Sequence, residues 1–171
     1  GKGLDDIDLG QLEGVPYDIK VFTGDKSNAG TSARVFIHLY GPERPANSRE
    51  KELNSGRMWL EKASFDRNKT AAFRVHCPDL LSPLTKIDIG HDNSGVGPGW
   101  FLSKVVVTCP ITGIRQTFQC NDWLARDEGD KKIERTLFED LDARSKDKTK
   151  IPYLMTIYTS DVANAGTDSK V

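Results

Sequence analysis

The sequence is poor in cysteine and in net charge, and each shortage excludes a class of protein. Three cysteines in 171 residues, Cys77, Cys109 and Cys120, are too few and too widely spaced for a disulfide framework or a Cys-x-x-Cys metal knuckle. We therefore expect reduced core cysteines of an intracellular protein. The 24 basic residues nearly balance the 25 acidic ones, and this balance argues against a dedicated nucleic-acid binder.

Long apolar runs are also absent. No stretch approaches the roughly 18 to 20 apolar residues that a membrane-spanning helix requires. The opening GKGLDDIDLG lacks the basic and then apolar pattern of a secretory signal. If membranes matter to this protein, we expect it to touch them without crossing them.

What the sequence has instead is a hydrophobic period of two, which is typical of half-buried β-strands. Apolar and polar residues alternate in 17–21 and again in 34–39. Further strand candidates are 57–60, 71–76, 85–89, 100–108 and 113–120. Glycine, proline and asparagine turns separate these segments, and no long helical period interrupts them. The pattern predicts an antiparallel β-sandwich of seven or eight strands.

The chain also repeats itself. Residues 153–171 match residues 17–35 at eight of nineteen positions, including the Asp, Asn-Ala-Gly-Thr pattern. A fixed offset of this kind is the signature of a tandem array. We therefore predict a lead-in linker at 1–15, a β-sandwich domain at 16–125, a charged tail and linker at 126–152, and the opening strand and loop of a following repeat at 153–171. Within the tail, IERTLFEDL is compatible either with a short helical turn or with a final strand.

Two loops combine oxygen-bearing side chains with glycine, and both follow predicted strands. The first spans 23–31 and contains Asp25; the second spans 91–95 and contains Asp92. Hard oxygen ligands are what calcium prefers, and glycine lets backbone carbonyls turn towards an ion. The alternative is that these Asp and Asn side chains only close turns by bonding to their own backbone. The second copy keeps the first loop better than the flanking strand, which indicates a constraint on the loop.

The order of these segments resembles a PLAT domain (polycystin, lipoxygenase, alpha-toxin). The resemblance rests on YDIKVFTGDKSNAGTSARVFIHLYG, on HDNSGVGPGWFL and on the closing CNDWL. It implies an eight-stranded antiparallel β-sandwich that binds Ca²⁺ at one end, near membrane lipid or a protein partner. Carried over by position, the implied calcium ligands are Asp25, Asn28 and Gly30 in the first loop, with His91 (through its carbonyl) and Asp92 in the second.

Tryptophans are the candidates for lipid contact, because indole rings favour the headgroup boundary. Trp100 follows the glycine-rich 95–99 loop, and Trp59 lies in the RMWLEK segment. The alternative for Trp100 is an ordinary core position at the start of a strand.

No arrangement for catalysis is evident, so we expect a non-catalytic module. The three histidines fall in two strands and a loop, and no serine or cysteine has a positioned base. Two functions remain open: calcium-dependent targeting to anionic membrane lipid or a membrane-associated protein, or a tandem-repeat protein–protein scaffold in which calcium is structural or absent. Adjacent repeats are expected partners in either case. The resemblance implies a peripheral location at the plasma membrane and, for tandem arrays, in hair-cell stereocilia.

Overall fold

The computed structural model describes residues 14–42 and 53–148. The chain divides into two compact units, one ending at Asp140 and the other beginning at Leu141. The second unit contributes one described helix, α1 (Leu141–Lys148). Within the described ranges, no helix has the length and hydropathy needed to cross a membrane.

The first unit is a β-sandwich of two antiparallel four-stranded sheets, as far as the described residues show. Sheet 1 has the strand order β4-β1-β6-β7, and sheet 2 has the order β3-β2-β5-β8. The strands are β1 (Val15–Thr23), β2 (Val35–Tyr40), β3 (Asn54–Trp59), β4 (Thr70–Cys77), β5 (Lys86–His91), β6 (Trp100–Thr108), β7 (Arg115–Leu124) and β8 (Glu134–Phe138). The prediction of an eight-stranded antiparallel sandwich is confirmed.

The core lies between the sheets and is filled by the alternate residues of each strand. In β1 the side chains of Tyr17, Ile19 and Val21 are buried, whereas Lys20 between them is exposed. Alternation follows from the pleat, which turns successive side chains to opposite faces. The largest fully buried side chain is that of Trp100.

The sandwich extends beyond the domain end that was predicted at residue 125. Residues 134–138 form β8, which pairs with β5, so of the two alternatives for IERTLFEDL the strand is the one observed. Leu137 is the one apolar residue of this strand that turns inward, on the same face as Arg135, while Phe138 is 66% exposed. An edge strand with one apolar anchor carries almost no period-two signal, so the charged sequence resembled a linker. The lead-in 1–13 and the repeated segment 153–171 lie outside the described residues.

Strand direction gathers four loops at one end of the sandwich. Strands β1, β3, β5 and β7 end there, and β2, β4, β6 and β8 begin there. The loops are therefore 24–34, 60–69, 92–99 and 125–133, and the first and third of these contain the loops selected from the sequence. Three of the four, 24–34, 92–99 and 125–133, contribute to the groove described below.

Candidate functional site: a groove between three loops

A groove of about 510 Å³ lies at this end of the sandwich, and we call it the loop-end groove. Its lining comes from these three loops and from the end of β7. The lining residues are Asn28, Gly30, Asn93, Val96, Gly97, Pro98, Gly99, Trp123, Arg126, Asp127 and Glu128. Two of the five predicted calcium ligands, Asn28 and Gly30, are therefore in the lining.

The first loop is fixed to the second by direct hydrogen bonds. The hydroxyl of Thr31 donates to the carbonyl of Pro98 at 2.6 Å. The backbone N–H of Ser32 donates to the carbonyl of Gly97 at 2.9 Å, and the hydroxyl of Ser32 accepts from the N–H of Gly97. Asn28 adopts a left-handed backbone conformation, with φ of 64°, which asparagine tolerates better than most residues. The wall formed by the two loops is thus held by hydroxyl and backbone groups, without any ion.

Asp25, the carboxylate of the first loop, is engaged elsewhere. The Nε of Arg67 donates to its Oδ1 at 2.8 Å, and both side chains are more than half exposed. An exposed ion pair of this kind contributes at most about 1 kcal/mol. Asp25 does not line the loop-end groove, so its availability as a ligand depends on release from Arg67.

Asp92, the carboxylate of the second loop, stabilises its own turn. Its Oδ1 accepts from the backbone N–H of Arg34 at 3.1 Å, from the N–H of Ser94 at 3.0 Å, and from the Ser94 hydroxyl. The hydroxyl of Ser94 is the main reason that the pKa of Asp92 is lowered. This is the turn chemistry that the sequence left open as an alternative, and Asp92 too is outside the lining of the loop-end groove.

His91 joins the second loop to the end of β7. Its imidazole is buried, Nε2 lies 2.8 Å from the carbonyl oxygen of Leu124, and Nδ1 accepts from the N–H of Asn93 at 2.9 Å. These partners assign the neutral tautomer with the proton on Nε2. Burial lowers the pKa of His91, so the neutral form is favoured in the folded protein. The side chain of His91 therefore positions the groove walls.

The third loop carries the carboxylates that sequence reasoning missed. Asp127 and Glu128 both line the loop-end groove. They stand in the run ARDEGDKK, where mixed charge indicated a solvated linker. The Asp-Glu-Gly triplet, which is typical of a turn between strands like those of the other two loops, is the one local signal that could have found them.

Arg135 of β8 holds the third loop in place. Its guanidinium donates to both carboxylate oxygens of Asp130, at 2.8 and 3.0 Å, and to the carbonyl oxygen of Trp123 at 2.7 Å. Only 16% of the Arg135 side chain is exposed. The bidentate contact lowers the pKa of Asp130, which favours the ionised carboxylate.

One of the two tryptophans predicted to contact lipid, Trp100, lies in the core instead. Trp100 is fully buried, its Nε1 donates to the hydroxyl of Thr23 at 2.9 Å, and its ring packs edge-on against Phe65. Trp100 is therefore a core residue, because it begins β6 on the inward side of the pleat, and it is corrected as a lipid contact. Trp59 is half-buried on the outer face of sheet 2, outside the lining of the groove. Trp123, at the end of β7, is the indole that lines the groove.

The donor set of the groove suits a weakly held hard cation. Asp127 and Glu128 offer carboxylates and Asn28 and Asn93 offer amide oxygens, whereas the carbonyls of Gly97 and Pro98 already accept hydrogen bonds from the first loop. Across residues 14–42 and 53–148, no group of three or more His, Cys, Asp or Glu side chains is arranged to hold a metal. Arg126 lines the same groove and opposes a cation there. The residues present thus fit calcium with a small charge count, which predicts low affinity.

Two packed antiparallel sheets with a polar groove among their end loops define the class of β-sandwich domains. The model of the PLAT/LH2 domain matches residues 17–138, and the chain belongs to this family. The chain is 40% identical to human Lipoxygenase homology domain-containing protein 1 over 173 residues, an alignment that covers 100% of the chain and 8% of that protein. It is 34% identical to human Polycystin-1 over 131 residues, which covers 71% of the chain and 3% of that protein.

Two solved structures share the fold. The crystal structure of coral 8R-lipoxygenase matches with a TM-score of 0.58 and 19% identity, covering 86% of this chain and 22% of that one. The alpha toxin from Clostridium absonum matches with a TM-score of 0.51 and 15% identity, covering 80% of this chain and 34% of that one. The chain corresponds to a small part of each of these larger proteins.

Proposed function

We propose that this chain is a non-catalytic, calcium-binding PLAT module that brings its parent protein to anionic membrane lipid or to a membrane-associated partner. The observation that carries the proposal is the loop-end groove, which is lined by two carboxylate residues, Asp127 and Glu128, and two amide residues, Asn28 and Asn93, beside the exposed Val96. In coral 8R-lipoxygenase, calcium activation proceeds via a C2-like domain. A peripheral position at the plasma membrane is part of the proposal, and a location in stereocilia stays a prediction of the resemblance.

In this proposal the calcium ligands are Asn28, Gly30, Asn93, Asp127 and Glu128. A bound calcium ion would cancel the negative charge of the groove and leave coordination positions for a lipid phosphate. In this proposal the side chains of His91 and Arg135 contact neither calcium nor lipid, and they hold the second and third loops in place. With two carboxylates we expect a dissociation constant on the order of 10⁻⁴ to 10⁻³ M, the range of weak calcium modules.

Calorimetric titration of calcium into chelator-stripped protein tests this ligand set. We expect saturable binding that Asp127→Asn/Glu128→Gln weakens by about tenfold or more, because two of the few charged ligands are lost. The double variant Asp79→Asn/Glu61→Gln removes the same charge outside the groove and should bind like the unmodified protein.

The variant Asp25→Asn/Asp92→Asn discriminates between the two sets of ligands. Loss of binding in this variant and not in the groove variant would support the ligands expected from the sequence, and would require Asp25 to leave Arg67. The absence of heat at millimolar calcium would contradict calcium binding altogether.

The membrane contact in this proposal is Val96, which stands fully exposed at the rim of the loop-end groove. Gly95 beside it has a φ of 83°, and a Cβ there would collide with the side chain of Ser32, so the tip of the loop requires glycine. Burying a valine side chain is worth about 1.5 kcal/mol or more, equivalent to about tenfold in affinity.

We therefore expect Val96→Asp to weaken calcium-dependent binding to phosphatidylserine vesicles by about tenfold or more, measured by co-sedimentation. Ile111→Asp is the matched control, since Ile111 is an exposed apolar residue of the β6–β7 turn, at the other end of the sandwich. Equal losses in the two variants would contradict insertion through the 95–99 loop.

A scaffold function is the second candidate, and the outer face of sheet 2 favours it. Arg57 lies 3.8 Å from the centroid of Phe36, Arg34 lies 4.2 Å from that of Trp59, and the rings of His38 and Tyr40 are stacked. Tryptophan, tyrosine and arginine are the residue types that dominate protein–protein interfaces. Protein that binds neither calcium nor vesicles would make this face the better functional surface.

A further inference from the structure

The outer face of sheet 1 carries basic side chains on several neighbouring strands. Residues that are paired across β4, β1, β6 and β7 form a row, which we call a rung. The first rung is Arg74, Asp18, Thr108 and Arg115. The second is Ala72, Lys20, Val106 and Thr117, and the third is Thr70, Phe22, Lys104 and Gln119. Four cations thus face outward against a single carboxylate in these three rungs. Lys20 and Lys104 are diagonal neighbours on adjacent strands, which places their Cα atoms about 7–8 Å apart.

The one carboxylate of these rungs is already neutralised. Arg74 donates to both oxygens of Asp18, from Nε at 2.6 Å and from Nη2 at 2.8 Å, and this contact lowers the pKa of Asp18. Neither Lys20 nor Lys104 forms an ion pair with any part of the chain that the structure describes. The ammonium of Lys104 lies instead 4.9 Å from the centroid of the Phe22 ring. Two lysine charges are therefore available for an anion.

The face is concave where these lysines meet. A cavity of about 240 Å³ is lined by Asp18, Lys20, Phe22, Lys104, Val106, Thr108, Arg115 and Thr117. Two ammonium groups and the hydroxyls of the threonines can donate to anionic oxygens, while Phe22 and Val106 offer an apolar floor. These donors around an apolar floor fit a ligand that is a compact ring with anionic groups on its edge.

We propose that this face is a calcium-independent site for the polyphosphorylated inositol headgroup of a membrane lipid. A helical acidic peptide is about 10–12 Å across and would need a longer cationic track than this cavity provides. Lysine serves phosphate as a point charge, whereas carboxylate recognition favours the fork of arginine. The headgroup is that of a membrane lipid because the cavity reaches the end of the sandwich that carries the exposed Val96. Phe22 and Lys104 lie on the third rung, next to Thr23 and the loops at that end. The inference goes beyond the proposed function, since it uses another face and needs no ion.

The test is co-sedimentation with phosphatidylcholine vesicles that contain a phosphatidylinositol bisphosphate, in the presence of a calcium chelator. We expect the unmodified protein to bind and Lys20→Gln/Lys104→Gln to bind about 30-fold more weakly, since each basic residue near an anionic surface is worth about 1 kcal/mol. Lys62→Gln/Lys86→Gln makes the same change of charge at two lysines that do not line this cavity, and it should bind as the unmodified protein does. Circular dichroism checks that each variant keeps the strand signal.

The remaining arms separate the sources of the effect. Equal losses in the two lysine variants, or no binding in chelator, would overturn the proposal. Phosphatidylserine at matched surface charge should bind more weakly, and soluble inositol trisphosphate should compete; polyglutamate that competes equally well would assign the face to acidic protein instead. The variant Asp127→Asn/Glu128→Gln should leave binding in chelator unchanged, so that failure of the calcium proposal and failure of this one are distinguishable.

Discussion

Replacing Trp100 by alanine is expected to lower the free energy of unfolding by about 3–5 kcal/mol, the upper range for a single core substitution. The indole is fully buried and packs against Phe65, and its Nε1 donates to the hydroxyl of Thr23. Truncation opens a cavity and leaves that hydroxyl without its donor. Because Thr23 ends β1 and Trp100 begins β6, the lost packing and hydrogen bond lie where these strands join the loops at the groove end. Urea unfolding measured by circular dichroism gives the value.

A loss of this size is a large part of the total stability of a domain, so a milder variant keeps the prediction testable. Trp100→Phe retains most of the ring volume and should cost about 1–3 kcal/mol, mainly through the lost hydrogen bond. Trp59→Ala is the matched comparison, because Trp59 is half-buried on an outer face and should cost less than Trp100→Ala. An order of stability in which Trp59→Ala is the more damaging change would contradict the core role of Trp100.

The second large effect is a dependence of stability on pH that arises from His91. Its pKa is lowered, chiefly by burial, although the carbonyl of Leu124 and the charge of Asp92 act in the opposite direction and Arg126 in the same one. In the unfolded chain the histidine pKa returns to about 6.5. The unfolded state therefore binds more protons below that pH, and stability falls as pH decreases, by about 1.4 kcal/mol per unit until the folded pKa is reached.

Urea unfolding at several pH values between 7 and 5 measures this slope. The pKa values of Asp18, Asp92 and Asp130 are also lowered by folding, but these groups change the free energy of unfolding only near and below the unfolded pKa of about 4. They therefore do not contribute to the slope between pH 7 and 5. We expect His91→Gln to lose part of its stability at pH 7, about 1–3 kcal/mol, and to show a much flatter slope. His76→Gln changes an exposed histidine and should keep the slope. A slope that persists in His91→Gln would assign the dependence to other groups.

Much of the fold could be predicted because its signals are local. The alternation in 17–21 and 34–39 indicated the strands observed as β1 and β2, and the predicted strand 100–108 is observed as β6. Sequence reasoning nonetheless offered Trp100 as a lipid contact, because a glycine-rich loop precedes it. The boundary at 125 was set too early for a related reason: β8 has one buried anchor, Leu137, and only its pairing with β5 reveals it as a strand.

The candidate site could be predicted only in part. Both loops chosen from the sequence lie at the groove end, and Asn28 and Gly30 line the groove. Whether they bind calcium, together with Asp25, His91 and Asp92, stays a prediction. Asp127 and Glu128 were missed because their groove neighbours on the other two loops are distant along the chain. Proximity of that kind arises from antiparallel pairing, and no local pattern encodes it.

The sequence by itself determined the class of fold and the family, since strand period, turn residues and motif order are properties of short segments; the following repeat at 153–171 stays a prediction. The tertiary structure decided which charges are available. Asp25 and Arg67 are 42 residues apart, and Asp18 and Arg74 are 56 apart, yet each pair is in contact. Register and loop packing bring them together and leave Asp127, Glu128, Lys20 and Lys104 facing the two cavities. A carboxylate or a lysine binds a ligand only when no nearer partner of opposite charge holds it, and that depends on which distant strands the chain has paired.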